Sequence, residues 1–195
     1  TTANDYAVNG QLPCYNHYDQ VFGENGLSYE TVADISGGNE NTRYFVSGTW
    51  RRDEGIANNT GFSRQALRVN VDQKLNDKLD IRVSSAFNRS GTQRGFTNNA
   101  NNFASAGYAL AYTPSYIDLS RRPDGTYPKP TGNSVPNANP VQTQDLADND
   151  EETYRFTGGA TLTYRALASA TNSVLLVAAG GADVFQQKNR ILTPN

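Results

Sequence analysis

Residues 42–52 read TRYFVSGTWRR, and the two sets of alternating positions in this stretch differ in character. Tyr44, Val46 and Trp50 occupy even positions, whereas Arg43 and Arg51 occupy odd ones. A period of two is the spacing of a β-strand, because successive side chains point to opposite sides of the backbone. The stretch therefore predicts a strand with one apolar face and one charged face.

The same alternation recurs along the chain, with Leu67 and Val69 opposite Arg68, and with Phe156 opposite Arg155. Strands are predicted over residues 28–37, 42–52, 63–73, 78–90, 153–166 and 173–187. The fold class that follows is all-β, an antiparallel meander of about six strands that is part of a larger sheet.

The connections between the predicted strands alternate in length. Tight polar turns are predicted at residues 38–41, 75–78 and 169–172, and long connections at residues 53–62 and 90–152. In a meander every second connection lies at the same end of the sheet, so one end has only turns and the other has the loops. Outer-membrane β-barrels show this asymmetry, with short periplasmic turns and long extracellular loops.

The placement of aromatic side chains favours a transmembrane β-barrel over a soluble β-sandwich. Tyr44 and Trp50 bracket a weakly apolar centre in one predicted strand, and Tyr154 and Tyr164 do so in another. In a membrane barrel the aromatic residues gather at the two membrane interfaces. The residues expected to face lipid in this way are Tyr44, Trp50, Phe87, Tyr154 and Tyr164.

Arginines occupy the opposite face of four predicted strands. They are Arg43, Arg51, Arg68, Arg82, Arg155 and Arg165. Placed against lipid near the membrane midplane, each would cost ~2–4 kcal/mol. This face is therefore predicted to line a watery barrel interior.

The composition bears on other classes of protein. The chain has 195 residues and a formal net charge of −2, so it lacks the basic surplus of a nucleic-acid-binding protein. No stretch approaches the roughly 18 apolar residues of a spanning helix, although alternating barrel strands need no such run. Cys14 is the only cysteine, which excludes an internal disulfide. The chain has no methionine and no leader-like start, which fits an exported protein or a segment of a longer one.

The long connection, residues 91–152, is expected to lie outside the cell and to contain a short helix. Phe103, Ala106, Gly107 and Leu110 fall at helical spacing before Pro114, which would end the helix. Tyrosines and charged residues in this connection could contact sugars or peptides, or could pack within the loop itself. The candidate substrate-binding residues are Tyr108, Tyr112, Tyr116, Arg121, Arg122, Asp124 and Tyr127.

The sequence predicts no catalytic site and no cofactor. His17 is the only histidine, so a nucleophilic site would have to combine it with Cys14 or a distant serine. Acidic residues cluster at Asp145, Asp148, Asp150, Glu151 and Glu152. They suit paired-carboxylate hydrolysis, or Ca²⁺ with Asp148, Asp150 and Glu151 as candidate ligands. A solvated acidic loop that leads into a strand is the favoured interpretation.

Distinctive motifs run along most of the chain. They are SGGNENTRYFVSGTW (36–50), DEGIANNTGFSR (53–64), LRVNVDQKLNDKLDI (67–81), YALAYTPSY (108–116), PDGTYP (123–128), NPVQTQDLADNDEETYRFTGGATLTY (139–164) and ADVFQQKNRILTP (182–194). Together they resemble SusC/RagA-type TonB-dependent outer-membrane transporters from about residue 18 onward. Residues 1–17 do not match, and residues 166–181 are less aromatic than the family pattern.

The resemblance implies a barrel of about twenty-two strands, plugged by an N-terminal domain. Residues 1–195 would then be a partial barrel from which the plug domain is absent. It also implies a Gram-negative outer membrane and its lipid, a TonB partner, a SusD-like surface lipoprotein, and import of oligosaccharides or peptides. Two alternatives remain open: a soluble extracellular β-sandwich that binds glycans, and a passive porin-like barrel.

Overall fold

A computed structural model describes residues 3–96, 106–129, 139–169 and 171–193. Six strands form one antiparallel sheet whose spatial order follows the chain. They are β1 (Tyr29–Gly38), β2 (Thr42–Glu54), β3 (Gly61–Asn76), β4 (Leu79–Gln93), β5 (Asp148–Ala168) and β6 (Ser173–Leu192). The predicted all-β meander is confirmed.

Short helices of the described chain lie in the segment before β1 and in the long connection. They are a 3-10 helix (Ala3–Tyr6), α1 (His17–Phe22), α2 (Ala106–Tyr112) and α3 (Pro140–Leu146). The helix expected ahead of Pro114 is α2, although Phe103 lies outside the described residues. Within the described part of the chain, no helix is long and apolar enough to cross a membrane.

The second helix of the long connection, α3, was not predicted from the sequence. The Asn139 side chain accepts hydrogen bonds from the backbone N–H groups of Val141 and Gln142 at the start of this helix. Pro140 occupies the first turn, where its missing N–H would have no partner within the helix. These two residues begin a helix that apolar spacing alone did not indicate.

Five strands reach further toward the loop end than the alternation predicts. β4 ends at Gln93 rather than at residue 90, and β5 begins at Asp148 rather than at residue 153. The long connection therefore spans residues 94–147 instead of 91–152. Most of the added residues are polar on both faces, so they show no alternation. They are nevertheless paired across the sheet, for example through an ion pair of 2.6 Å between Arg89 and Glu152.

The strand register confirms the predicted division into two faces. Directly opposed residues of antiparallel strands project to the same side of a sheet. Val46 pairs with Val69, Val71 with Val83, and Phe87 with Phe156. One face, called the apolar face, carries all of Tyr44, Val46, Trp50, Leu67, Val69, Ile81, Val83, Phe156 and Leu162. The other, called the polar face, carries all of Arg43, Arg51, Arg68, Arg82, Arg155 and Arg165.

The turns and the loops lie at opposite ends of this sheet. Residues 39–41, 77–78 and 169–172 connect the strands at the turn end. Residues 55–60 and 94–147 connect them at the loop end, where β1 also begins. The predicted separation of short and long connections is therefore confirmed as a property of the sheet.

The buried residues of the described chain lie in the connections and not in the sheet. The buried hydrophobic residues are Val21, Ala57, Ala106, Ala109, Ile117, Leu119 and Ala147. No residue of β1 to β6 is buried. The sheet is therefore a single layer with both faces uncovered.

Candidate ligand-contact site in the loops

The connections at the loop end pack into a unit with its own core. This unit, called the loop module, comprises residues 3–28, 55–60, 106–129 and 139–147. Its buried core consists of Val21, Ala106, Ile117 and Leu119. Around these pack the partly buried residues Tyr6, Phe22, Leu110, Tyr116 and Val141.

Two buried amides join the segments of the loop module. Asn139 is 2% exposed, and its Nδ2 donates to the carbonyl oxygens of Leu119 (2.9 Å) and Pro128 (3.0 Å). Gln144 Nε2 donates to the carbonyl oxygen of Val21 in α1 at 3.1 Å. Because a buried polar group without partners costs ~1–3 kcal/mol, these bonds specify how the segments pack.

The segment before β1 is held against the long connection. The backbone N–H of Tyr15 donates to the carbonyl oxygen of Ser115 at 2.8 Å. His17 Nε2 lies 2.7 Å from the carbonyl oxygen of Ile117 and donates to it, because a carbonyl can only accept. Gln20 Nε2 donates to Asp118 Oδ1 at 2.8 Å. The only histidine of the chain therefore has a packing contact of its own.

A cleft of about 270 Å³ lies between this N-terminal segment and the long connection. Its lining includes the half-buried rings of Tyr6, Tyr15 and Tyr116, with the exposed Arg121 and Arg122. The ring centroids of Tyr6 and Tyr116 are 5.3 Å apart. The volume is near the lower limit of small-molecule sites, which span ~300–1,000 Å³. Aromatic faces beside guanidinium groups can hold one sugar ring or one amino-acid side chain.

The cleft is lined by one carboxylate that accepts hydrogen bonds, Asp118, and by two arginines. Burial opposes ionisation of Asp118, yet hydrogen bonds from Ser120 and Gln20 keep the pKa of its carboxyl group below the ordinary value. Neither Arg121 nor Arg122 forms a salt bridge with the described residues. The cleft therefore offers both an ionised acceptor and two guanidinium donors to a polar ligand.

The structure brings three of the seven candidate substrate-binding residues to the cleft: Tyr116, Arg121 and Arg122. Tyr112 is exposed at the end of α2, away from the cleft lining, and the side chain of Tyr108 lies outside the described residues.

Asp124 and Tyr127 hold the loop together instead of lining the cleft. The side chain of Asp124 accepts from Thr126, whose hydrogen bonds lower the pKa of that carboxyl group. The Tyr127 hydroxyl donates to Asp145 Oδ2 at 2.6 Å, and burial together with this bond raises the pKa of the phenol. Tyr127 therefore connects the 121–129 segment to α3.

The acidic residues near the start of β5 are spread over different surroundings. Strand alternation places Asp148 and Asp150 on the apolar face and Glu151 on the polar face. Asp145 accepts from Asn58 at 2.7 Å, within the loop module. Among the described residues, no group of three histidine, cysteine or acidic side chains is placed to hold a metal ion. The structure does not bring the candidate calcium ligands Asp148, Asp150 and Glu151 together.

The polar face carries a second cavity, a groove of about 590 Å³. Its lining includes Arg64, Arg68, Asn70 and Asn88 from β3 and β4. Arg64 Nη2 donates to Asn88 Oδ1 at 3.0 Å, whereas the buried Asn70 Oδ1 has no partner within the described structure. This hydrophilic surface agrees with the predicted watery side of the sheet.

Sequence reasoning missed the contributions of Tyr6, Tyr15 and Gln144. An asparagine followed by proline at 139–140 is a signal for a helix start, so α3 could have been found. The pairing of Tyr6 and Tyr15 with residues about a hundred positions away has no local signal. It depends on the loop module core.

Comparison with known proteins gives one partial likeness. The chain is 24% identical over 144 residues to "TonB-dependent receptor P3" of Formosa agariphila, across 70% of this chain and 14% of that protein. The chain therefore spans about a seventh of the length of the relative that it matches. No protein-family model matches the chain. The likeness agrees at the coarse level with the resemblance noted in the motifs.

Proposed function

We propose that this chain is part of the β-barrel of a SusC/RagA-type TonB-dependent importer in the outer membrane of a Gram-negative bacterium. In this proposal, TonB energises uptake of oligosaccharides or peptides, and a SusD-like surface lipoprotein assists their capture. The proposed activity is transport, without a catalytic step or a cofactor. The partial likeness to a TonB-dependent receptor supports the membrane and the TonB partner.

The observation that carries the proposal is the uncovered apolar face. No described strand residue is buried, and Trp50 and Leu67 on that face are 55% and 50% exposed. A soluble β-sandwich packs its apolar face against a second sheet, because large apolar patches are unfavourable in water. In a membrane barrel the same face contacts lipid and needs no second layer.

The apolar face also has the dimensions of a membrane band. On β5 it runs from Tyr154 to Tyr164, ten residue steps apart. At ~3.4 Å per step this distance is about 34 Å, and a strand tilt of ~40° reduces its height to about 26 Å. The apolar band of outer-membrane barrels is ~25 Å tall.

Both outer strands are available for further pairing. Within the described sheet, β1 pairs only with β2 and β6 pairs only with β5. All residues of β1 and β6 are exposed. Unpaired strand edges favour association, and a closed barrel removes them. A longer chain that continues the sheet at both edges satisfies these backbone groups.

We place ligand contact in the cleft lined by Tyr116, Arg121 and Arg122. The cleft belongs to the loop end of the sheet, which is the extracellular end in this proposal. Binding groups commonly lie on loops held by a rigid scaffold, and the loop module has the core that such rigidity requires. A passive porin-like barrel is disfavoured by the likeness to a TonB-dependent receptor.

Labelling of intact cells tests the proposal. In the longer protein that contains this chain, an epitope inserted at Gly125 should be accessible to antibody, and one inserted at Asp77 should not. Gly125 lies in the loop-end turn and Asp77 in a turn-end hairpin. Labelling of Asp77 with Gly125 protected would reverse the orientation. Equal labelling of both sites, in protein released from the cells, would favour the glycan-binding sandwich.

Removal of TonB then separates an importer from a passive pore. Growth on the oligosaccharides or peptides that the protein imports should stop in a strain that lacks TonB, while surface labelling of the Gly125 epitope stays unchanged. Uptake that persists without TonB would show that the barrel is porin-like.

A further inference from the structure

The apolar face changes character in the rows of paired residues nearest the loop end. Leu67 and Phe87 lie in the last apolar row. In the next row, Trp50 and Tyr154 alternate with polar residues such as Arg89. Beyond it the face is polar and charged, although it still belongs to the same side of the sheet. The sheet therefore extends past its apolar band on the side that contacts lipid.

A groove of about 540 Å³ lies on this polar extension. Its floor is formed by residues with little or no side chain, Gly61, Ser63 and Gly91. Trp50 and Arg89 also line it. A groove forms here because small residues of β3 and β4 lie between larger side chains of the neighbouring strands.

The groove is lined by more carboxylates than guanidinium groups, and its two arginines, Arg52 and Arg89, each pair with a carboxylate. Arg89 Nη2 lies 2.6 Å from Glu152 Oε1, and the Tyr154 hydroxyl donates to the same oxygen at 2.6 Å. Arg52 forms an ion pair with Glu54, and its side chain remains 60% exposed. Paired guanidinium and carboxylate groups offer hydrogen-bond donors and acceptors side by side, which suits the hydroxyl groups of a sugar.

We propose that this groove binds the saccharide headgroup of a glycolipid in the outer leaflet of the membrane. The sugar lies on Gly61, Ser63 and Gly91 beside the Trp50 ring, and the acyl chains lie on Leu67 and Phe87 directly below. The inference rests on the proposed membrane orientation, and it concerns the outside of the barrel, not the import site.

Continuity between the groove and the apolar band identifies the occupant. A soluble sugar would use only the polar groove, and a simple lipid would use only the apolar rows. An amphiphile with a polyhydroxylated head uses both surfaces at once. Aromatic residues such as Trp50 and Tyr154 suit the boundary between the two, since their rings are apolar and their edges polar.

The test uses the longer protein, stripped of lipid in detergent, with rough-type lipopolysaccharide as the probe. Gly91→Leu fills the floor of the groove, and the nearest obstacle to its Cβ is Ser63 Oγ at 3.1 Å, a side-chain atom that can rotate. Gly180→Leu adds the same bulk to the same face two rows nearer the turn end than Leu67 and Phe87, where no atom lies within 4 Å of its Cβ. Gly91→Leu should weaken lipopolysaccharide binding about tenfold or more, and Gly180→Leu should change it little.

A second variant, Arg52→Gln with Arg89→Gln, keeps the test decisive if Gly91→Leu does not assemble. It should also weaken binding about tenfold, since charge-assisted hydrogen bonds are the stronger ones. Three results would overturn the inference: binding unaffected by both variants, equal binding of phosphatidylglycerol, or equal competition by the sugar freed of its acyl chains. If the Gly125 epitope is labelled and uptake depends on TonB while one of these results is obtained, only this inference fails. Loss of both epitope accessibility and TonB dependence would remove the proposed function as well.

Discussion

Apolar side chains are buried in the loop module of this chain and exposed in its sheet. In the loop module, Val21 and Leu119 are 1% and 0% exposed, and buried amides join the surrounding segments. In the sheet, Ile35 and Trp50 are 60% and 55% exposed. The module contains a core of the kind found in soluble proteins, whereas the sheet has none within the described residues.

Under the proposed function, the two regions of this chain are built for different solvents. Burial of apolar side chains away from water stabilises the loop module. In a membrane, the apolar face of the sheet would contact hydrocarbon, where its side chains need no covering layer. Changes to the module core should therefore act locally, while changes to the apolar face should act on membrane assembly.

The largest effect is expected from Leu119→Ala. This change leaves a cavity at the centre of the loop module and should cost about 2–5 kcal/mol of its local stability. Hydrogen exchange of residues 106–129, measured on the longer protein in detergent, should accelerate while exchange in β3 and β4 stays unchanged. Leu146→Ala is the matched control, because that side chain is 48% exposed and should matter little. Equal acceleration in β4 would show that the two regions are not independent.

The second-largest effect is expected from arginine substitutions at two adjacent serines, one on each face of the sheet. Ser85 pairs with Val69 and Gly158 on the apolar face, and Ser84 pairs with Asn70 and Gly159 on the polar face. Ser85→Arg should reduce stability in lipid bilayers by about 2–4 kcal/mol, and Ser84→Arg by much less, since only Ser85 lies on the face proposed to contact hydrocarbon. Urea unfolding of the longer protein in lipid vesicles measures both. A larger loss for Ser84→Arg would reverse the assignment of the lipid-facing side.

The smallest effect concerns pH and the contact between α1 and the long connection. The pKa of Asp118 is lowered in the folded chain, because hydrogen bonds from Ser120 and Gln20 outweigh its burial. A lowered pKa means that the unfolded state binds more protons as the pH falls. The contribution of Asp118 to folding stability is therefore present above the ordinary carboxyl pKa of ~3.9. It is lost as the pH falls through the lower pKa that Asp118 has in the folded chain.

Hydrogen exchange of α1 compares the variants at each pH. Asp118→Asn should speed hydrogen exchange in α1 at neutral pH. At strongly acidic pH, where Asp118 of the unchanged protein is protonated, the two proteins should exchange at the same rate. Asp124→Asn is the control, because the pKa of Asp124 is also lowered but its hydrogen bonds stay within its own turn. If Asp124→Asn alters α1 as much as Asp118→Asn does, the contact between Asp118 and Gln20 is not the cause.

The faces of the sheet could be predicted from the sequence because strand geometry is local. A side chain two positions along a strand returns to the same face, so the spacing of Tyr44, Val46 and Trp50 sufficed. The tight turns could be predicted for a similar reason, since Asn39 and Asn76 form hydrogen bonds to backbone groups two or three residues away. Strand ends were underestimated because residues such as Asp150 and Glu151 are polar on both faces.

The candidate site was only partly predictable. The sequence identified Arg121 and Arg122 as bidentate donors and Tyr116 as an aromatic face, but nothing local indicated that Tyr6 and Tyr15 would complete the cleft. Asp124 and Tyr127 share the residue types of a binding site, yet their hydrogen bonds to Thr126 and Asp145 hold the loop together. Residue type alone does not separate a ligand contact from a packing contact.

The sequence by itself determined the class of the fold, the two faces of the sheet and the separation of turns from loops. Each of these depends on backbone periodicity or on hydrogen bonds between residues a few positions apart. Only the tertiary structure decided where the cores lie and which residues meet at the cleft. Those features depend on contacts such as Gln20 with Asp118 and Gln144 with Val21, across about a hundred residues. Such contacts form because apolar side chains from distant segments are buried together. The hydrophobic effect is non-directional, so no local sequence pattern indicates which segments will meet.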